Sequence, residues 1–600
     1  MITKSALDHN GKLIDCYGYD ENTLQIRLRL AKNEAKSVHL RIGDPYHWER
    51  GGGGGNLNAE GAWGWVGGTT IPMQKEVETA EHEYWIANFM NESKRFRYAF
   101  VIEGINERII FGEKRIVTLT EDNEEASLQD MGNFFCMPYL NKIDLAKAPT
   151  WVKSTIWYQI FPDRFANGNP AISPENVMPW GSKPEYANFM GGDLEGVISK
   201  LDYLQDLGIN GLYFCPIFKA PSNHKYDTID YMEIDPHFGD KTTFKRLVEE
   251  AHARGIRVML DAVINHAGSK SPFFQDVIDH QEQSQYKEWF HIKEFPVSLE
   301  KKNFETFAFS AGMPKFNTEN EACREYLLNM LTYWIQEFDI DGWRLDVANE
   351  VDHSFWREFR KRAKAIKSDV YILGEIWHDA KPWLRGDQFD AVMDYPIHDA
   401  ICDFACRNRF DAEHFKYAIN EALIRYPRNI NEVTFALLDS HDTERIVYRA
   451  KGNLDLTRLC YILLFSYTGS LSLYYGAEIG LDGGADPDCR RAMPWDEVDK
   501  PSKFNQFMRK LIQLRKSVHA LRSAEFEWIK ADQSPVVIYR KKSVEGNVLI
   551  MMNTSAIEQT TINKCNGKKL SDLFTGKAVR LKGDKITLKP YEYFVLQEGN

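Results

Sequence analysis

The first 125 residues alternate apolar and polar positions in short runs such as TLQIRLRL, SVHLRI, RFRYAFVI and RIIFG. Because side chains on a β-strand point alternately to opposite faces, this period of two predicts strands with one buried side. Glycines and charged residues separate the runs, as they do in sheets joined by turns. We therefore expect an antiparallel β-sandwich over residues 1–125.

A glycine-rich stretch from Gly51 to Gly68 interrupts these runs. Consecutive glycines predict a flexible loop, because glycine leaves the backbone little restricted. The two tryptophans of the stretch, Trp63 and Trp65, leave a second interpretation open, in which the loop contacts a partner or a sugar.

A different pattern begins near residue 150, where short apolar runs alternate with amphipathic segments. One such segment, DLEGVISKLDYLQDLG, spaces its apolar residues as a helix does and ends in glycine. Strands that alternate with helices are typical of a parallel sheet, and eight of them are typical of a (β/α)8 barrel, the TIM barrel. The candidate strands are 154–161, 211–218, 257–264, 342–348, 370–376, 389–395, 433–440 and 471–479.

Two further segments complete the predicted architecture. The connection after the third strand, about 268–319, is too long for one helix and is expected to form an inserted subdomain. Alternating runs return in the last part of the chain, as in VVIYRKK and NVLIMMN, and predict a C-terminal β-sandwich over 523–600. The fold class is thus α/β, with a barrel over 126–522 that includes the inserted subdomain and is flanked by N-terminal and C-terminal β-sandwich domains.

Composition and charge exclude several classes of function. The chain has 74 Lys and Arg against 86 Asp and Glu, a formal charge of −12, and we expect no nucleic-acid partner because no basic face is evident. No apolar run reaches the ~18 residues of a membrane span, and the first residues do not resemble a signal peptide. Scattered cysteines without a CxxC pair suit reduced thiols, so we expect a cytoplasmic protein.

Polar residues follow four of the candidate strands where each strand ends. Because a barrel builds its catalytic face from the carboxyl ends of its strands, we expect these side chains to meet at one rim. Helix capping is an alternative at each single position, and zinc binding by the histidines is another, although no HxH or HExxH spacing accompanies them. The residues are Asp261, Asn265, His266, Arg344, Asp346, Glu375, His441 and Asp442.

Two of these carboxyl groups have the surroundings that glycoside hydrolysis requires of a nucleophile and a general acid. Arg344 and Asp346 alternate with Trp343 and Leu345, so the two charged residues point into the barrel mouth. A neighbouring guanidinium favours the ionised, oriented carboxylate that a nucleophile needs. Glu375 lies among apolar residues, which favours the protonated carboxyl of a general acid.

Four segments, DAVINH, GWRLDVANE, GEIW and LLDSHD, resemble the principal motifs of the α-amylase family of glycoside hydrolases and follow that family's order. MPKF at 313–316, followed by Asn317, resembles the marker of the branch of neopullulanases, cyclomaltodextrinases and maltogenic amylases, in which leucine is usual in place of Phe316. The resemblance implies a retaining hydrolase of α-1,4 bonds in cyclodextrins, maltodextrins and pullulan, giving maltose, glucose or panose. It also implies a homodimer that involves a carbohydrate-binding-like N-terminal domain.

Carried over position by position, the resemblance makes Asp346 the nucleophile, Glu375 the acid/base and Asp442 a third carboxylate that holds sugar hydroxyls. Core packing is an alternative for two aromatic residues of the set, Phe307 and Trp377, and helix capping is an alternative for Asn349. The residues implied in substrate binding are Tyr226, His266, Arg344, His441, Asp486, Arg490, Phe307, Trp377, Asn349 and Glu350.

The same family has a calcium site after the first barrel strand, built by an NGDPxND pattern and a later GGD. The loop here is NGNPAIS, 167–173, with GGD at 191–193. Ile172 and Ser173 replace two oxygen-rich positions, and because calcium takes roughly six to eight oxygen ligands, we expect a structural calcium to be weakly bound or lost. No other cofactor is expected. The ligands would be Asn167, Asn169, Gly191 and Asp193.

Two other functions stay open at this point. A glucan transferase or a trehalose-forming isomerase of the same family would keep every catalytic residue, and reducing ends released from maltotriose would separate it from a hydrolase. A non-catalytic carbohydrate-binding relative would lack catalytic residues, whereas this sequence retains them.

Overall fold

The computed structural model describes residues 1–11, 14–50, 63–90, 92–498, 500, 502–565 and 567–599. Residues 51–62, most of the glycine-rich stretch, lie outside the described residues, so its predicted flexibility remains a prediction. The chain divides into two compact units, Met1–Lys147 with Lys416–Ile430, and Ala148–Phe415 with Asn431–Asn600.

The first unit contains the predicted antiparallel sandwich. One sheet has four strands and the other has six, and side chains from both, such as Leu28 and Phe100, share one core. Short helical turns lie at Lys4–Ala6, Glu124–Ser127 and Lys142–Asp144. The strands are Cys16–Gly18, Leu24–Ala31, Ala35–Gly43, Trp48–Arg50, Trp63–Trp65, Gly68–Pro72, Gln74–Glu78, His82–Phe89, Phe96–Gly104, Arg108–Phe111, Ile116–Thr118 and Phe135–Met137, of which Trp48–Arg50 and Trp63–Trp65 form a separate hairpin.

The second unit contains the predicted parallel barrel of eight strands. Seven neighbouring pairs run in parallel, and a parallel bridge between Met393 and Phe435 brings the first and last strands of the sheet together. The predicted TIM barrel is therefore confirmed. The strands are Ile156–Ile160 (β1), Gly211–Phe214 (β2), Arg257–Ala262 (β3), Gly342–Leu345 (β4), Tyr371–Gly374 (β5), Ala391–Val392 (β6), Phe435–Leu437 (β7) and Ser470–Tyr474 (β8).

Helices connect these strands, and several of them begin at side-chain caps. Asp240, Asn320 and Asp352 each accept a hydrogen bond from the backbone N–H three residues on. Gly208 ends one helix with a φ of 96°, which glycine adopts without strain. The longer helices are Leu194–Ser199, Leu201–Leu207, Lys241–Ala253, Pro272–His280, Glu321–Phe338, His353–Ile366, Tyr395–Ile401, Ala412–Arg425, Leu454–Phe465 and Lys503–Ser517. One-turn helices are Pro162–Phe165, Arg428–Asn431, Ile446–Arg449, Trp495–Val498 and His519–Arg522.

The inserted subdomain and the C-terminal sandwich are also present. Between β3 and the helix Glu321–Phe338, the helix Pro272–His280 packs beside short antiparallel bridges, such as Ile292 with Phe304. The C-terminal strands form one sheet of six and one of two. They are Phe526–Ala531, Val536–Lys541, Val548–Asn553, Gln559–Ile562, Leu570–Asp572, Ala578–Val579, Lys585–Leu588 and Tyr593–Glu598. Among the described residues, no helix combines the length and the apolar character needed to cross a bilayer.

The barrel interior changes from apolar to polar along its axis. Trp157, Met259 and Tyr371 fill the lower layers with their neighbours. Two residues further along β1 and β3, the inward positions hold Gln159 and Asp261, because every second residue of a strand points inward. The apolar layers therefore support a polar layer at the carboxyl ends of the strands.

At the opposite end of the barrel, Asp341 joins several elements just before β4. Its side chain is fully buried. Oδ2 accepts hydrogen bonds from Val258 N at 2.9 Å and from His252 Nε2 at 2.7 Å. Oδ1 accepts from Arg257 Nη1 at 2.7 Å and from Lys367 Nζ at 2.9 Å.

These contacts make the ionised form of Asp341 stabilising. Burial alone would raise the pKa of this carboxyl, but the hydrogen bond from His252, the charge of Lys367 and the hydrogen bond from Arg257 outweigh it and hold the pKa well below its usual range. A carboxyl with a depressed pKa stabilises the fold above its unfolded-state pKa of about 3.9 and loses that contribution as the pH falls through the folded-state value.

We therefore expect Asp341→Asn to lower the unfolding temperature at pH 7 by about 2–5 °C, because a neutral amide leaves the cations of Arg257 and Lys367 without a buried carboxylate. The difference in unfolding temperature between Asp341→Asn and the unchanged protein should become smaller as the pH falls from 5 toward 2. Differential scanning calorimetry across this range measures both effects. Asp202→Asn is the matched control, since Asp202 pairs with Arg254 while 83% exposed and should contribute far less; equal losses in the two variants would contradict this role of Asp341.

Candidate active site

The predicted polar residues meet at the carboxyl ends of the barrel strands. Asp261 lies in β3 and Arg344 in β4, while Asp346 and Glu375 directly follow β4 and β5. His441 and Asp442 follow β7 after a short turn. Parallel strands end at the same rim, so residues far apart in sequence become neighbours.

A single guanidinium joins three of these carboxyl groups. Arg344 Nη1 donates to Asp346 Oδ1 at 2.7 Å and to the two oxygens of Asp261 at 3.0 and 3.1 Å. Arg344 Nη2 lies 2.7 Å from Glu375 Oε1. On the other side of β4, Trp343 Nε1 donates to Leu331 O in a surrounding helix at 3.1 Å, so the predicted alternation along this strand is observed.

Burial changes the acidity of the cluster. It raises the pKa of Asp346, Arg344 acts against the rise, and the nearby charge of Glu375 adds to it. It also raises the pKa of Asp261 to about 6, against Arg344 and the hydroxyls of Tyr213 and Tyr226. The sequence predicts that Arg344 keeps Asp346 ionised. Arg344 does act to lower the pKa of Asp346, but burial, which removes water from the carboxyl group, has the larger effect and raises it.

The two oxygens of Glu375 have different donors. Trp377 Nε1 donates to Oε1 at 3.1 Å, and Val347 N donates to Oε2 at 3.0 Å. Val347 has φ 45° and ψ 43°, a left-handed conformation that is rare for a β-branched residue. The sequence did not identify Val347 as a site residue, because a β-branched valine favours an extended conformation.

His441 is held as a neutral imidazole of defined tautomer. Burial lowers its pKa well below the usual range, and the charge of Arg490 acts in the same direction. Gln159 Nε2 donates to His441 Nδ1 at 2.7 Å, so the ring proton is on Nε2. That nitrogen lies 2.6 Å from Tyr226 Oη, which donates to Asp261 Oδ2 at 2.9 Å.

Gln159 was missed in the sequence, although a polar residue in the apolar run IWYQI was a usable signal. The rings of Tyr226 and His441 lie nearly parallel, 5.3 Å apart. His441 Nε2 is also 3.1 Å from Asp442 Oδ2. The predicted binding residues on this side thus form one hydrogen-bonded group.

Asp442, Asp486 and Arg490, three of the predicted site residues, lie together beside His441. Arg490 Nη1 is 3.0 Å from Asp486 Oδ1, and Nη2 is 3.7 Å from Asp442 Oδ1. Arg490 Nε also donates to His441 O at 3.0 Å. Burial raises the pKa of both carboxyl groups, and Arg490 opposes both rises.

Two aromatic pairs contain the predicted binding residues Phe307 and Trp377. Phe307 stacks on His266, with 5.0 Å between ring centroids, and burial lowers the pKa of His266 to about 3. Trp377 stacks on Tyr395 at 3.5 Å while 53% of it is exposed, so the core-packing alternative does not hold for Trp377. Tyr395 is a further residue that sequence reasoning missed.

Asn349 and Glu350 lie just after β4, near the inserted subdomain. The cap of the helix His353–Ile366 is Asp352, which accepts from Phe355 N at 2.8 Å, so capping does not account for Asn349. Lys315 donates to Glu350 O at 2.9 Å and also to Asn265 Oδ1. Asn265 at the barrel rim is thus engaged by the lysine of MPKF.

The predicted calcium ligands are engaged in hydrogen bonds within their own loop. Both oxygens of Asp193 accept backbone N–H bonds, from Gly168 at 3.1 Å, Asn169 at 2.7 Å and Gly196 at 2.7 Å. Asn167 Nδ2 donates to Ser173 Oγ at 3.1 Å. The single carboxylate of the set therefore has no free oxygen directed to a cation, and this donor set does not fit calcium.

Zinc binding by the histidines is not supported in the described ranges, where no group of three or more His, Cys, Asp or Glu has the arrangement to hold a metal ion. His266 and His441 instead donate or accept hydrogen bonds with Tyr226. The carboxyl groups and imidazoles thus form one polar site through their own hydrogen bonds and ion pairs.

Comparison with known proteins gives two family matches, the alpha amylase catalytic domain over residues 159–535 and the alpha amylase N-terminal ig-like domain over residues 1–141. The chain is 47% identical to a cyclomaltodextrinase of Geobacillus thermopakistaniensis, covering 99% of both chains. It is 43% identical to an intracellular maltogenic amylase of Bacillus subtilis, covering 99% of this chain and 98% of the relative. A solved cyclomaltodextrinase structure matches with a TM-score of 0.90 and 39% identity, covering 99% of this chain and 100% of that one. The chain therefore belongs to the alpha-amylase family of glycoside hydrolases.

Proposed function

We propose that the protein is a retaining hydrolase of α-1,4-glycosidic bonds in cyclodextrins, maltodextrins and pullulan. The observation that carries this proposal is the placement of Asp346 and Glu375 on one buried guanidinium, each within 2.7 Å of Arg344. A retaining mechanism needs two carboxyl groups about 5–5.5 Å apart, without room for a water between them and the sugar. The names of the relatives, cyclomaltodextrinase and maltogenic amylase, support the substrate class.

In the first step, an Asp346 oxygen attacks the anomeric carbon while the bond to the leaving oxygen breaks. Glu375 gives its proton to that oxygen, so the departing glucan leaves as an alcohol. In the second step, water attacks the glycosyl ester, Glu375 takes the proton of the water, and Asp346 is released. Two inversions at one carbon give net retention.

The surrounding residues hold the reacting sugar. Asp442, held beside His441, is placed to bind its hydroxyls, and Tyr226 offers an aromatic ring to its apolar face. Asp486 and Arg490 close the donor side, which favours short products. Trp377 and Phe307 face the acceptor, where Asn349 and Glu350 add polar contacts.

We also propose that the protein acts inside the cell and forms a homodimer. The first point is supported by the Bacillus subtilis relative named as an intracellular maltogenic amylase. The second rests on the N-terminal domain, which matches the alpha amylase N-terminal ig-like domain. We further infer that the loop Asn167 to Ser173 folds without calcium, because the oxygens of Asp193 are taken by backbone N–H groups.

We expect Asp346→Asn and Glu375→Gln each to lower kcat on β-cyclodextrin, soluble starch and pullulan by about 10²–10⁴-fold, because each removes one of the two reacting carboxyl groups. Reducing-end release in parallel assays measures the rates.

The control for these variants is Asp411→Asn, which changes a side-chain hydrogen bond with His414 away from the strand ends. Circular dichroism checks that each variant is folded. Near-normal activity of a folded Asp346→Asn or Glu375→Gln protein would remove the proposed mechanism, and transfer products without new reducing ends would favour the transferase instead.

Removal of divalent cations should leave the unfolding temperature unchanged within about 1 °C, and added calcium should not raise it, since the loop satisfies its own oxygens. Thermal unfolding with EDTA and then with excess CaCl₂ measures this. A calcium-dependent rise of several degrees would show that the loop binds the ion.

Light scattering coupled to gel filtration at micromolar concentration should give a mass near twice the 69.5 kDa of one chain. A monomeric mass together with full activity on β-cyclodextrin would contradict the homodimer.

A further inference from the structure

The carboxyl group of Glu375 is held asymmetrically. Oε1 lies 2.7 Å from Arg344 Nη2 and accepts from Trp377 Nε1 at 3.1 Å. Oε2 accepts from the backbone N–H of Val347 at 3.0 Å. A general acid donates its proton from one oxygen, so the asymmetry bears directly on which oxygen that is.

A proton on Oε1 is disfavoured by both of its neighbours. The guanidinium of Arg344 and the indole N–H of Trp377 are donors only, so neither can accept from a protonated Oε1. The positive charge of Arg344 also favours negative charge on the nearer oxygen. Oε2 has one neutral donor, and a carboxyl oxygen has a second lone pair that can carry a proton.

We propose that Trp377 and Val347 are positioning residues that assign the transferable proton of Glu375 to Oε2. This inference rests on the proposed role of Glu375 as acid and base. Trp377 and Arg344 fix Oε1, which keeps the charge when Glu375 is ionised. The N–H of Val347 orients Oε2. From this orientation, Oε2 delivers the proton to the leaving oxygen and later takes one from water.

The surroundings of both donors support this assignment. The indole of Trp377 is fixed by stacking on the buried ring of Tyr395 at 3.5 Å, while much of its surface stays exposed. Val347 adopts φ 45°, and this strained turn directly after Asp346 is what aims its N–H at Glu375. Strain of this kind persists where the surrounding structure imposes it, and it often occurs at active sites.

The test is the pH dependence of kcat/KM for maltotriose in Trp377→Phe. Phenylalanine keeps a ring to stack on Tyr395 but has no N–H for Oε1. Because the ionised carboxylate loses a hydrogen bond, the acid form should persist to higher pH, and the alkaline limb should move up by about half to one pH unit.

The matched control is Phe307→Leu, which removes an acceptor-side ring that stacks on His266 and does not contact Glu375. It should alter KM for longer glucans without moving the alkaline limb. If Trp377 served only as a platform for the acceptor sugar, Trp377→Phe would also alter KM without moving the alkaline limb. Superimposable pH profiles for Trp377→Phe and the unchanged protein would therefore overturn the proposal.

Val347 gives a second measurement, since its donor belongs to the backbone. Incorporation of the α-hydroxy analogue of valine at position 347 replaces the N–H by an ester oxygen and should also move the alkaline limb upward. An unmoved limb in this protein would exclude Val347 from the assignment. Glu375→Gln separates failure of the positioning from failure of the proposed function. If Glu375→Gln abolishes hydrolysis while the alkaline limbs of Trp377→Phe and of the Val347 ester protein stay in place, only the positioning fails. If Glu375→Gln retains activity, the proposed function fails.

Discussion

The active site depends on one fully buried guanidinium. Arg344 touches Asp261, Asp346 and Glu375 at the same time. Keeping all three carboxyl groups ionised around one cation, away from water, would cost free energy, because burial penalises each charge that is not compensated. The raised pKa values of Asp346 and Asp261 express this competition. The cluster therefore favours a state that holds a proton among its carboxyl groups, and a retaining glycosidase needs such a state.

The barrel makes this arrangement sterically possible. Its lower layers are filled by aromatic and aliphatic side chains such as Trp157, Met259 and Tyr371, which exclude water from beneath the charges. Gly342 lies inward on β4, where an added Cβ would come within 3.0 Å of Tyr371 O. The strand therefore approaches β5 closely, and Arg344 follows two residues later. The position of the charge is a consequence of how the apolar layers pack.

Much of this site could be predicted from the sequence, and the parts that could not have physical reasons. The period-two pattern around Arg344 predicted which side chains point inward, and strand ends predicted which residues meet. Gln159 was missed because its partner His441 is 282 residues away, and no local pattern encodes that pairing. The left-handed turn at Val347 was missed because β-branched residues rarely adopt it, and the raised pKa of Asp346 depends on burial by distant elements.

The mechanism depends on a covalent bond between Asp346 and the sugar, with Glu375 acting first as acid and then as base. Proton NMR of the first product released from maltotriose, recorded before mutarotation, distinguishes this route from direct attack by water. We expect the new reducing end to appear first as the α-anomer, since two displacements at the anomeric carbon restore its configuration. Initial release of the β-anomer would show a single displacement by water and would exclude the covalent bond to Asp346.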